Sequence, residues 1–76
     1  MKKFLVQLET LIGESWTPVA RYDTAHGFAH LDILLSKGTQ EKVRLREADL
    51  NKALAIAFID LVENAELYIS RYLKER

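Results

Sequence analysis

Cysteine is absent from the 76 residues. That removes disulfide bonds and thiolate metal ligands together, and makes a reducing cytoplasm the simplest expected setting. Glycine occurs only three times, at Gly13, Gly27 and Gly38. A phosphate-cradling loop needs several glycines close together, so that class of nucleotide site is excluded. The one proline, Pro18, marks an edge or an irregular step in the strand that holds it. No stretch approaches the roughly 20 apolar residues of a membrane span. The opening Met1 to Thr10 resembles the basic and apolar regions of a signal peptide, but Gln7 and Glu9 interrupt its apolar run too early.

Neither sign of charge is in excess: eleven basic and eleven acidic side chains give formal neutrality and a pI near 6.7. A general nucleic-acid binder gains its affinity by neutralising phosphates with surplus cations, and that signal is missing. A local patch, and an enzyme that meets RNA briefly, stay open.

What is present is globular composition, 49% hydrophobic and 29% charged. A chain this short buries only about 60% of its unfolded surface, so residues 1–76 are expected to form one domain with a small core. A core of that size gains from a second copy of the chain.

From Phe4 to Ile12 apolar and polar residues alternate, as in a half-buried strand. Residues 17–23 and 28–35 read as second and third strands joined by a hairpin through Thr24 to Gly27. In the third, Ala29, Leu31, Ile33 and Leu35 form the expected core face. A turn at Ser36 to Thr39 leads to a short fourth strand over 41–45, with Val43 and Leu45 inward.

From about Glu47 onward the period becomes helical. With Phe58 at the centre of the wheel, the apolar residues from Leu50 to Leu73 fall within an arc of roughly 200° at 100° per residue. Glu47 and Asp49 stand in the expected first turn, Lys74 and Arg76 in the last, as the helix dipole prefers. The expectation is an α+β domain: a four-stranded, mainly antiparallel sheet over about 3–45 and one long C-terminal helix over about 47–76. Such a helix runs about 43 Å against strands of about 20 to 30 Å, so part of its apolar face overhangs the sheet and a helix-mediated homodimer is expected.

The unusual chemistry is concentrated between Arg21 and Asp32, which includes both histidines. A two- or four-residue hairpin loop places Arg21 opposite His30 and Asp23 opposite Phe28. Arg21, Asp23, His30 and Asp32 then share the face away from the helix, with His26 in the turn. That face offers a proton-transfer group, carboxylates to orient it and a guanidinium suited to phosphate. The set could cleave a phosphodiester without metal: one histidine takes the proton of a ribose 2′-hydroxyl, the other protonates the leaving oxygen, and Arg21 stabilises the charge on phosphorus. The plainer reading is a solvated sheet face with cross-strand ion pairs. A metal site of His26, His30 and Asp32 is disfavoured by spacing, since His26 sits at the turn and His30 down a strand. No cofactor site is expected. Asn51, Asp60 and Asn64 read as helix surface, and Trp16 as a core-edge plug.

The run Arg21-Tyr22-Asp23-Thr24-Ala25-His26, followed by His30, resembles the Arg-Tyr-Asp-Asn-Ala-Pro-His pattern of small prokaryotic TumE-type toxin proteins and related short uncharacterised proteins. The likeness covers about a dozen residues and, loosely, the order of strands before a terminal helix. It lacks the proline of that pattern, and His30 stands alone where the family clusters histidines. The resemblance implies a toxin acting on RNA and neutralised by an antitoxin protein, with Arg21, Tyr22, Asp23, His26 and His30 at the matching positions; with Asp32 added from the shared sheet face, the candidate site is Arg21, Asp23, His26, His30 and Asp32. The alternative is a non-catalytic homodimeric interaction module.

Overall fold

A computed structural model describes residues 3–24, 27–38 and 40–74. Four strands, β1 Leu5–Ile12, β2 Ser15–Asp23, β3 His30–Leu34 and β4 Gln40–Arg44, are followed by two helices, α1 Leu50–Glu63 and α2 Ala65–Lys74. The strands form an open antiparallel meander in the order β1-β2-β3-β4. Among the described residues no helix is long and apolar enough to cross a membrane.

Alternation assigns the two faces of the sheet. Ala20, Tyr22, Leu31 and Ile33 join Ala57, Leu61 and Tyr68 in one buried cluster, against which Phe4, Val6, Leu8 and Leu45 pack. Pro18 lies beside a bulge in β2: Leu8 faces Ala20 and Glu9 faces Pro18, leaving Val19 as the extra residue. The extra residue resets the alternation, so Val19 and Ala20 are both fully buried. Only Ala20 to Asp23 pair with β3, so the missing N–H of Pro18 costs no β3 hydrogen bond.

The expected single long helix is two helices, broken at Asn64. This residue leaves helical geometry at φ −110° and ψ 19°, while its side-chain nitrogen donates to Asp60 Oδ1 at 2.6 Å. That bond joins two side chains, while the backbone N–H of Asn64 still donates to Asp60 O at 2.9 Å; the low helix propensity of asparagine fits a break made without glycine or proline. The helical start also falls later than expected. Asp49 is the N-cap, its carboxylate accepting from Asn51 N–H at 2.9 Å, and Glu47 precedes the helix and accepts from Asp49 N–H at 3.2 Å. Arg76 lies outside the described residues.

The buried stripe of α1 is Ala53, Ala57 and Leu61, spaced four apart. Phe58, expected at the centre of the core face, is 61% exposed. Two fully buried alanines let the helix approach the sheet closely, and that turns the larger residues outward. The helices lie over β1 and β2, so Val43 on β4 points to the core side yet stays 49% exposed. Glu41 on the same strand is tied down by Arg71 at 2.8 Å.

Candidate functional site

The β2–β3 ladder is displaced by two residues from the expected hairpin. Asp23 faces His30 and Arg21 faces Asp32, where Asp23 opposite Phe28 and Arg21 opposite His30 were expected. The ladder ends at Asp23 and His30, and beyond it Gly27 takes φ +83° and its N–H donates to Thr24 O at 3.1 Å. Phe28 and Ala29 leave the ladder for physical reasons. The Phe28 ring folds over His30, with centroids 5.9 Å apart, and the Arg44 guanidinium lies 4.3 Å above its centroid. Ala29 is fully buried and its carbonyl accepts from Leu45 N–H at 2.9 Å. At the far side of the loop Thr24 closes the sheet by accepting from Phe4 N–H at 2.9 Å.

A shift of two preserves parity. Arg21, Asp23, His30 and Asp32 therefore still share the face opposite the helices, joined there by Lys42 and Arg44 of β4, which face Asp32 and His30. Two cross-strand rows result, Asp23–His30–Arg44 and Arg21–Asp32–Lys42. His30 Nε2 lies 2.9 Å from Asp23 Oδ1 and 4.0 Å from Asp32 Oδ2, and Lys42 Nζ lies 3.0 Å from Asp32 Oδ1. His30 and Asp32 are only 6% and 4% exposed on this uncovered face. Arg21 is half-buried, and its Nε has no hydrogen-bond partner among the described residues. His26 lies outside the described residues, as does Thr39 of the following turn.

Two adjoining clefts open at this end of the sheet. One, of about 270 Å3, is lined by Phe28, His30, Lys42 and Arg44. The other, of about 510 Å3, runs between Gly27–Phe28 and the segment from Arg44 to Leu50. Among the described residues lining these walls, Lys42, Arg44 and Arg46 bring three cations against one carboxylate, that of Glu47. Neutral overall composition hid this patch, and only the strand register exposes it. Phe28 and Arg44 were not among the site residues read from the sequence.

Asp23, His30 and Asp32 each place one potential ligand atom within 4.8 Å of the others. That trio is not the His26, His30 and Asp32 set weighed from the sequence. Asp32 already faces Arg21 and Lys42, and Asp23 faces His30.

A second polar cluster sits on the helix side. Tyr22 and Tyr68, both buried, donate to Asp60 Oδ2 at 2.8 and 2.5 Å. Burial, then the hydrogen bond to Asp60, pushes both phenols well above the usual tyrosine range. Asp60, read from the sequence as surface, thus joins β2 to both helices across their break.

Fold and site together define a small α+β domain with a four-stranded open sheet, helices on one face and a charged, cleft-bearing opposite face. The chain belongs to the family described as Domain of unknown function (DUF7718), whose family model matches residues 1–76. No curated protein and no solved structure matches it. The family description fits a short uncharacterised protein and lends no support to the likeness to TumE-type toxins.

Proposed function

We propose that the protein acts on a phosphate-bearing ligand, RNA first among them, at the cleft of Phe28, His30, Lys42 and Arg44. The observation that carries this reading is the His30–Asp23 pair at 2.9 Å beside a cleft whose other lining side chains are Phe28 and two cations. Asp23 orients the imidazole for proton transfer. Arg44 and Lys42 offset the phosphate charge, Arg44 with the planar fork that suits phosphate oxygens. In a ribonuclease reaction the 2′-oxygen attacks phosphorus as its proton passes to an imidazole. The 5′-oxygen then leaves with a proton from a second acid, the two roles being divided between His26 and His30 in the reading from the sequence. An antitoxin-like neutralising protein belongs to the same proposal.

The test is expression of the wild type beside His30→Ala, His26→Ala and Arg44→Ala, with growth and RNA integrity followed. Growth arrest with RNA loss in the wild type, and relief in the variants, is expected. Equal growth and intact RNA in all four sinks the toxin reading.

The outer side of α1 favours a second reading, a non-catalytic homodimeric interaction module. Phe58, Ile59 and Val62 are each more than half exposed there, and apolar side chains grouped in this way mark contact surfaces.

A further inference from the structure

The outer face of α1 has a polarity that specifies its partner. Turning away from the buried Ala53–Ala57–Leu61 stripe at 100° per residue leads to a face centred on Ile59, with Ala55, Ile56, Phe58 and Val62 about it. Ile56, Phe58, Ile59 and Val62 are 40%, 61%, 56% and 63% exposed, and a shallow hollow among Phe58, Ile59 and Val62 is bordered by Glu63. Charge is segregated along this strip. Its N-terminal end carries exposed Lys52, and its C-terminal end carries exposed Glu63 and, one turn further in α2, Glu66.

A parallel neighbour brings Lys52 against Lys52 and glutamate against glutamate. An antiparallel neighbour crossing at Ile59 brings Lys52 of each copy to Glu63 and Glu66 of the other and packs the apolar middle on itself. We infer that the partner of this surface is a second copy of the chain, related by a two-fold axis passing near Ile59, with the two α1 helices antiparallel. The inference rests on the homodimer reading and adds the partner's orientation. The strip is self-complementary, as an isologous interface requires. Its ionic ends act as a polar rim around an apolar centre, the usual anatomy of an interface. The chain's formal neutrality means that two copies meet without net repulsion. The core supplies the thermodynamic reason: Val19 is the only large side chain among the described residues that is fully buried, and a domain this small gains much from covering a further apolar strip.

The absence of native cysteine makes the orientation directly readable. Sedimentation of the wild type at micromolar concentration is expected to give twice the 8.8 kDa chain mass. Ile59→Cys, at an exposed site next to the axis, is expected to form a disulfide-linked dimer under mild oxidation. Lys52→Cys is expected to stay unlinked, because seven residues on either side of the axis hold the two sulfurs about 21 Å apart. Lys52→Glu is expected to weaken dimerisation at least threefold at low salt with an unchanged circular dichroism spectrum. A chain monomeric at 100 micromolar overturns both the inference and the homodimer reading. Efficient cross-linking through Lys52→Cys, with or without cross-linking through Ile59→Cys, overturns the antiparallel arrangement alone, and leaves the dimer standing.

Discussion

Tyr22 and Tyr68 carry the clearest chemical signature of any single side chains here, because two buried phenols share one carboxylate oxygen of Asp60. Their raised pKa values have a definite consequence for stability. In the unfolded chain both ionise near pH 10, whereas in the folded chain they hold their protons. The stabilisation is therefore complete below pH 10 and is lost as pH rises from there toward the folded values. Each tyrosine contributes a slope of about 1.4 kcal/mol per pH unit in that window. Urea unfolding at pH 8 and pH 11 is expected to show a steeper loss in the wild type than in Tyr22→Phe. Asp60→Ala strands both hydroxyls, and an unsatisfied buried donor costs about 1 to 3 kcal/mol. A fall of about 3 kcal/mol is expected by urea unfolding at pH 7, and a change under 0.5 kcal/mol contradicts the assigned role. On the opposite face, His30 is held between Asp23 and the Phe28 ring. Its value to the molecule depends on whether ligand reaches the cleft it borders.

Among the elements, the helix caps and the turns decide where the strands and helices lie. Asp49→Ala removes the acceptor for Asn51 N–H, and thermal unfolding is expected to register about 1 kcal/mol of lost stability. Gly27→Ala forces a side chain into φ +83° and is expected to cost at least about 1 kcal/mol. The succession of four strands before a helical C-terminal part, and the division of residues between faces, were legible in the sequence. Alternation put Ala20, Tyr22, Leu31 and Ile33 inside and Arg21, Asp23, His30 and Asp32 outside, and a ladder shift of two cannot undo that. The loop length was not legible, because it depends on Phe28 packing against His30 and beneath Arg44, a contact made only once β4 is in place. Asp60 was missed for a similar reason: its partner Tyr22 lies 38 positions earlier. The helix wheel misplaced Phe58 because it weighs hydrophobicity and not size, and Ala53 and Ala57 win the core position through close approach. The break at Asn64 falls in a segment free of glycine and proline, where one asparagine of low helix propensity is too weak a signal to announce it.

At the scale of the molecule, one sheet face is closed by α1 and α2 and the other is left to charged rows running across β2, β3 and β4. The helices cover β1 and β2 but not β4, so the cations of β4 project from a thin, accessible edge. Short, charged edge strands resist pairing with other chains. That leaves the Lys42–Arg44 border free for a ligand rather than for another strand. This border, with His30 and Phe28, is the phosphate-binding site proposed for a chain of zero net charge. The most direct measurement is a proton–nitrogen NMR titration of the protein with a short single-stranded RNA at low salt, repeated on Arg44→Ala. Shifts concentrated at Phe28, His30, Lys42 and Arg44, and lost in the variant, are the predicted result. No shift up to millimolar RNA, or the same shifts in Arg44→Ala, contradicts the account.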